Sequence, residues 1–370
     1  VPRGNRVASI MNVTRRNFSG ELEFLANNLP PGIVMHAPKV AANLTQVPIV
    51  FEAADNAPLT KSLVDLRVRH TDPEKKIEGG FQQKLDLVYG PPNNRTYYVS
   101  TLDRLAVAAT KKVPFSIKLL KPETPIIQSG SMSLKVVAVR DANFTAAINV
   151  RLLTRPPGIG ASSSINIAAG KTEANYPITA NGGAGIGTWQ IAMLAAAKTS
   201  HGEVLTSSEL VDLVIEPPYL KVKINMSAIE RGKEGEIICD LEQLRPFENE
   251  ATISIFGLPA NVTSIPQKID KNATQVVFPI TSEPTSRAGL SKTLFCSVKV
   301  PLGEHLLNHS VGQGGQLRMD NPPPAPKKPT VPKPKTVAVA KPPKPKAQKP
   351  LSRLEKLRLA AKESAAAGTN

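Results

Sequence analysis

One order of turns and strands occurs three times along this chain, and that repetition limits the fold more than any other feature. The first copy reads RGNRVASIMNVTRRNFSGELEFLANNLPPGI (3–33), the second SGSMSLKVVAVRDANFTAAINVRLLTRPPGI (129–159), the third RGKEGEIICDLEQLRPFENEATISIFGLPANV (231–262). Gly4 to Gly32 spans 28 positions, Gly130 to Gly158 also 28, and Gly232 to Asn261 spans 29. Later strands match as well. VPIVFEAADNAP (47–58), YPITANGGAG (176–185) and FPITSEPTSRAG (278–289) place Pro48, Pro177 and Pro279 at 16, 19 and 18 positions after the second turn. Repeats at a fixed period indicate a tandem array.

Each copy reads as all-β. MSLKVVAV, AAINVRLL, LKVKINMS and ATISIFG are short, alternating and rich in β-branched residues, bounded by Pro, Gly and Asn. A unit of about 100 residues with about seven strands fits an immunoglobulin-like sandwich of two antiparallel sheets. Three such sandwiches in an elongated array are expected over 1–112, 113–216 and 217–321. Aromatic content is only 4%, so the cores are aliphatic. Trp189, alternating with Ile191, reads as a core filler. The short, Pro-containing linkers KKVPF (111–115) and IEPPY (215–219) imply restricted motion between units.

Unit one departs from the pattern twice. Units two and three open with a strand ahead of the first turn, FSIKLLKP (115–122) and YLKVKINMS (219–227). Unit one has none, and the chain does not begin with Met; the expectation is a piece of a longer protein, short of its first strand. Unit one also gains GGFQQKLDLVYGPPNNRTYYVST (79–101), an added hairpin holding Tyr89, Tyr97 and Tyr98. Such a hairpin either forms a contact surface, or covers an edge of the first sandwich or packs on unit two.

The net charge of +16 invites a nucleic-acid reading only if it lies on a folded surface. It does not. Residues 322–350 hold eleven Pro and eight Lys (Lys327, Lys328, Lys333, Lys335, Lys341, Lys344, Lys346 and Lys349) with no acid, and 351–370 add four basic and two acidic residues. The tail carries +10 and the body +6. Proline lacks the amide hydrogen and fixes φ, so 322–350 reads as a disordered, extended linker. Ser352 and Glu355 form a capping box ahead of a short basic helix. No apolar run approaches the ~20 residues that span a bilayer.

The segments GGFQQKLDLVYGPPNN, YYVSTLDRLAV, RPPGIG with TWQIAML, and EQLRPFE followed by GLPANV resemble the C-terminal region of large secreted planctomycete-type bacterial proteins. Those carry tandem immunoglobulin-like repeats, often beside pre-peptidase C-terminal domains. The resemblance implies a secreted or cell-envelope setting and a non-catalytic module; its motifs are turns and strands, and no catalytic residue carries over.

Cys239 and Cys296 lie 57 positions apart in unit three, on strands equivalent to B and F, where an immunoglobulin fold places its inter-sheet disulfide. They are either bridged or two buried thiols. His305 and His309 have a spacing that suits a metal on a helix, but LGEHLLNHSVGQGG lies at the last hairpin of unit three, so a solvated loop is expected. Gly182, Gly183, Gly185 and Gly187 lie between strands and form no phosphate-binding motif. Nine Asn-x-Ser/Thr triplets read as polar strand and turn residues under the bacterial resemblance. G-x-S-x-G, H-E-x-x-H and S-x-x-K are all absent.

The expected function is a non-catalytic extracellular or envelope module, without cofactor or metal. Its partner would be an envelope protein or polysaccharide, and its basic tail would bind anionic polymers non-specifically. An accessory region of a secreted protease or glycoside hydrolase is the alternative. Specific nucleic-acid binding is not expected.

Overall fold

The computed structural model describes residues 1–200 and 202–323, together with 352, 353 and 356–358. The chain divides into two compact parts, Val1–Pro322 and Pro323–Asn370. In the second part, Arg353 and 356–358 are helical and the Lys356 amide donates to the Ser352 carbonyl. The expected Pro/Lys linker falls outside the described residues from 324 onward.

The first part is built of strands in three successive sets. The first contains β1 (Asn5–Asn12), β2 (Leu22–Asn27), β3 (Ile33–His36), β4 (Gln46–Ala53), β5 (Lys61–His70), β6 (Glu78–Gly80), β7 (Gln83–Gly90), β8 (Arg95–Leu102) and β9 (Leu105–Ala108). The second contains β10 (Phe115–Leu119), β11 (Ile126–Ile127), β12 (Ser131–Arg140), β13 (Ile148–Leu152), β14 (Ile159–Ala161), β15 (Ile165–Ile167), β16 (Glu173–Ala180), β17 (Gly187–Ile191), β18 (Met193–Thr199), β19 (Gly202–Ser207) and β20 (Val211–Glu216). The third contains β21 (Leu220–Ile224), β22 (Ser227–Glu230), β23 (Glu234–Gln243), β24 (Ala251–Phe256), β25 (Val262–Ser264), β26 (Gln267–Ile269), β27 (Gln275–Ser282), β28 (Gly289–Leu302) and β29 (His305–Asp320).

Units two and three share one topology. One sheet runs β10-β12-β16-β14 in unit two and β21-β23-β27-β25 in unit three. The facing sheet of unit three is β22-β29-β28-β24-β26; unit two breaks the same sheet into β15-β13-β18-β19 and β11-β20-β17. The short β11 and β22 pair in parallel with the last strand of their units, whereas the other ladders are antiparallel. This is an immunoglobulin-like sandwich, present in tandem. Alternation drives it: in β27 every second residue is buried, and Phe278 and Ile280 face the core. The facing sheets close over aliphatic side chains.

The repeat is set by backbone conformation, and this corrects the alignment at two points. Gly4, Ser129 and Gly232 all have left-handed φ (64°, 60° and 77°), and so do Gly32, Gly158 and Asn261 (77°, 80° and 62°). The second-copy partner of Gly4 is therefore Ser129, one residue before Gly130, because the turn requires the left-handed conformation and serine tolerates it at a modest cost. The next residues, Asn5, Gly130 and Lys233, lie across from Ala53, Ala180 and Ser282. In that register Val50, not Pro48, corresponds to Pro177 and Pro279.

The same register exposes a device in all three units. Ten positions after that strand start stand Arg15, Arg140 and Gln243. Arg15 donates to the carbonyls of Leu44, Val40 and Ala41. Arg140 donates to Lys171, Ala146 and Ala168, and Gln243 to Asp270. Ala41, Ala168 and Asp270 each open the turn into the strand that follows, accepting from Leu44, Lys171 and Ala273. A polar side chain at the end of β12 and β23, and three residues past the end of β1, thus ties down the same turn in each sandwich.

The units adjoin through named contacts. Ala8 and Val50 pack with Ala192, Leu153, Leu194 and Leu210, and the Asn5 side-chain Nδ2 donates to the Phe115 carbonyl at 2.7 Å. Ile127 belongs to the core of unit three, and the Ser310 amide donates to the Ser129 carbonyl at 2.8 Å. At the IEPPY linker Arg245 binds Glu216 at 2.7 Å and lies 4.5 Å over the Tyr219 ring.

Candidate interaction surface

In unit three the last strand β29 pairs along nearly the whole of β28, and in unit two β19 and β20 pair in turn with β18 and β17 with no hairpin inserted between them. In unit one that strand is divided: β6 pairs with the second half of β5 and β9 with the first half. The β7–β8 hairpin is inserted between the two halves. Its base is held by Phe81 and Leu105, which pack on the core of unit one. Beyond the base β7 and β8 pair only with each other among the described residues. The hairpin does not cover an edge of its sandwich.

Local chemistry explains why it holds its shape. The PPNN turn carries a cis Pro91–Pro92 bond and left-handed Asn93 and Asn94. The Tyr97 hydroxyl donates to the Pro91 carbonyl at 2.5 Å, and its ring covers the space beside Gly90, where a Cβ would lie 2.9 Å away. Tyr97 therefore serves the turn.

The two other tyrosines face elsewhere. Register places Leu85, Val88, Tyr98 and Leu102 on one face and Lys84, Asp86, Tyr89, Val99 and Thr101 on the other, with irregularities near Leu87 and Tyr97. Tyr89 and Tyr98 are 61% and 59% exposed, and Val88 and Leu102 are exposed beside them. Contiguous exposed apolar side chains on a projecting element mark a contact surface.

Cys239 and Cys296 are fully buried and face one another across unit three within hydrogen-bonding contact. They are free thiols here. The bond to Cys239, and then burial, pushes the Cys296 thiol far above its ordinary value. In unit two Val136 and Met193 occupy these places, and in unit one Met11 and Leu66.

The expectation of a solvated loop fails for His309, whereas His305 is exposed directly after the hairpin turn. Both lie on β29, four residues apart, or about 13 Å along a strand. His305 is exposed and meets Glu123 at 3.1 Å. His309 is 1% exposed, with neither ring nitrogen hydrogen-bonded, and burial lowers its pKa to about 4. The hairpin turns at Gly303 and Glu304, and β29 runs on from His305 through the rest of that segment. Trp189 is partly buried on the core of unit two and donates to the Gly185 carbonyl at 2.7 Å. The glycine-containing loop is tied back, with Gln128 donating to Ala184 and the Gly185 amide to Pro157.

Two grooves lie where units adjoin. One, of about 430 Å³, is lined by Arg6, His36, Glu52 and Glu209; Arg6 and His36 both reach Glu52, at 2.7 and 3.0 Å. The other, of about 410 Å³, is lined by Ser131, Asn181, Asn308 and Gln313. Among the described residues no group of His, Cys, Asp and Glu could hold a metal ion. No described helix is long and apolar enough to cross a membrane.

No family model and no curated protein matches the chain. Solved structures similar to it include a protein of unknown function from Porphyromonas gingivalis W83, at 10% identity over 56% of this chain and 100% of that one, TM-score 0.22. The D0-D1 domain of intimin is 11% identical over 53% and 95%, TM-score 0.19. The fibronectin(III)-like modules of Clostridium thermocellum CbhA are 12% identical over 55% and 94%, TM-score 0.20. The fold class itself rests on the strand order and register above.

Proposed function

We propose that this chain is a non-catalytic extracellular or cell-envelope interaction module. In this reading the tandem sandwiches present the β7–β8 hairpin to an envelope protein or polysaccharide, and the Lys/Pro tail tethers the assembly to anionic polymers. The setting in large secreted bacterial proteins follows from the sequence resemblance. One observation carries the reading. The hairpin is inserted at a break in a strand, adds nothing to the core beyond its base, and exposes Val88, Tyr98 and Leu102 on one face and Tyr89 and Val99 on the other.

The test separates the two elements. Replacing Val88, Tyr89 and Tyr98 with Ser leaves the fold unchanged and abolishes retention on isolated bacterial cell envelopes at high salt, where tail electrostatics are screened. Removing residues 324–370 abolishes the low-salt component and its salt dependence. Equal retention of all three proteins at both salt concentrations would refute the proposal.

A further inference from the structure

A strand at the edge of a sheet leaves backbone donors and acceptors unpaired, and folded proteins guard such edges with short strands, lysine or bulges. Much of units two and three follows that rule. The edge strands β14, β15, β25 and β26 hold three residues each. The edge strand β10 carries Lys118, and β21 carries Lys221 and Lys223, all exposed. The hairpin of unit one is guarded on one side only. β7 presents Lys84 and Asp86, and its ladder is irregular beside Leu87. β8 is eight residues long, and among the described residues its outer edge pairs with no strand. Its segment TYYVSTL (96–102) contains no charge, no Pro and no Gly.

The residues of this edge suit a copy of themselves. Tyr98–Leu102 form a regular stretch, since the second irregularity of the ladder lies at Tyr97. Tyr98, Val99 and Leu102 are exposed there, and aromatic and β-branched side chains stabilise cross-strand pairs. Charge stands only at the two ends: Arg95 opens β8 and Asp103 follows it. Both are exposed and neither is in an ion pair among the described residues, whereas the adjacent Arg104 is held by Asp65 at 3.2 Å. Two β8 strands laid antiparallel bring the Arg95 end of each to the Asp103 end of the other. Laid parallel, they would set Arg95 beside Arg95 and Asp103 beside Asp103, and like charges opposite one another destabilise a pair.

We propose that the outer edge of β8 is a homodimer interface, to which β8 of a second copy of this chain adds antiparallel across a two-fold axis at Val99. The axis sets Val99 against its copy and Tyr98 against Ser100, and joins two hairpins into one sheet in the order β7-β8-β8-β7. Backbone bonds between the two edges give affinity, and the Arg95 and Asp103 ends fix direction. A two-fold contact of this kind is closed, so assembly stops at two copies. The guarded β7 edges, with Lys84 and Asp86, then lie outermost. Dimerisation uses the backbone edge of the hairpin, whereas the envelope-binding reading uses its exposed faces. Either can fail without the other.

The purified full chain, without any envelope fraction, is followed by analytical ultracentrifugation from about 1 μM to about 1 mM at about 0.1 M salt. Hydrogen–deuterium exchange is read at residues 96–102 over the same range. A reversible monomer–dimer equilibrium is expected, with exchange at 96–102 slowed by about tenfold or more in the dimer. Val99→Lys sets two like charges against each other and should weaken dimerisation by about tenfold or more, with exchange in units two and three unchanged. Arg95→Asp and Asp103→Arg should each weaken it by about tenfold, and the two changes together should restore the parent affinity to within about threefold. That rescue separates pairing of the edges from damage to the hairpin. The proposal is overturned if the chain stays monomeric throughout, or if a dimer forms while 96–102 exchange as in the monomer. It is also overturned if the doubly changed chain dimerises as weakly as the single variants.

Discussion

Acidification should destabilise unit three selectively through His309. The ring is 1% exposed, lies 6.1 Å from the Tyr219 ring, and has no hydrogen-bond partner on either nitrogen. Protonating it places an unpaired charge in the core, so its pKa falls from 6.5 to about 4. The folded state then binds fewer protons than the unfolded state at pH values between these two. Stability is full above about pH 6.5, declines as pH falls, and levels off below about pH 4. At 1.36 kcal/mol per unit the complete loss is about 3 kcal/mol, and roughly 2.5 kcal/mol is gone by pH 4.5. The two cysteines, both buried in this unit, supply a local probe. Their accessibility to a disulfide reagent active in acid, measured against urea, reports the opening of unit three. His309→Leu removes the titrating group without leaving an unsatisfied partner, so its stability at pH 7.5 should lie within about 1 kcal/mol of the parent. Between pH 7.5 and 4.5 the parent should lose about 2.5 kcal/mol more than the variant. Equal losses in both proteins would show that His309 does not carry the effect.

Arg140→Ala removes three bonds to carbonyl oxygens and should destabilise unit two by about 2 kcal/mol, with faster amide exchange at residues 168–173; unchanged exchange would remove the clamp from the account. Gly257 has a φ of 76°, and a Cβ there would lie 2.0 Å from the Thr293 carbonyl oxygen, so Gly257→Ala should cost more than about 2 kcal/mol, read by urea denaturation. Mild oxidation should join Cys239 to Cys296 and raise the stability of unit three by about 4 kcal/mol in the chain-entropy model. Non-reduced peptide mass spectrometry identifies the bridge, and thiols that resist oxidation after urea-assisted opening would contradict the facing arrangement.

Much of the fold could be read locally. Alternation in MSLKVVAV and QVVFPITS marks half-buried strands, and their recurrence between Gly and Pro turns defines a tandem sandwich. Register was less accessible. Matching glycine letters selected Gly130, whereas the repeated property is a left-handed backbone that Ser129 also adopts. The Arg15, Arg140 and Gln243 clamp escaped notice because it is conserved as a position and a bond, while the residue type changes. A constant ten-residue offset from the corrected turn would have revealed it.

The candidate surface divides in the same way. Two alternating runs around PPNN mark a hairpin by local rules, since Pro and Asn suit the turn they occupy. Whether Tyr89 and Tyr98 are covered depends on what lies beside them, a long-range fact without a local signature. His309 shows the opposite outcome: its place at the last hairpin of unit three suggested a solvated loop, but β28 and β29 run on as a long hairpin and bury the ring.

The sequence by itself determined the strands, the threefold repeat and the segregation of charge into the tail, because each depends on near neighbours: alternation, turn residues, and the φ restriction of proline. Tertiary structure decided which residues face a core, a neighbouring unit or solvent. It brought Cys239 to Cys296 across 57 positions, left β1 paired on one side only among the described residues, and buried His309 beside the Tyr219 ring. Burial depends on the approach of strands distant in sequence, and no local pattern encodes what covers a side chain.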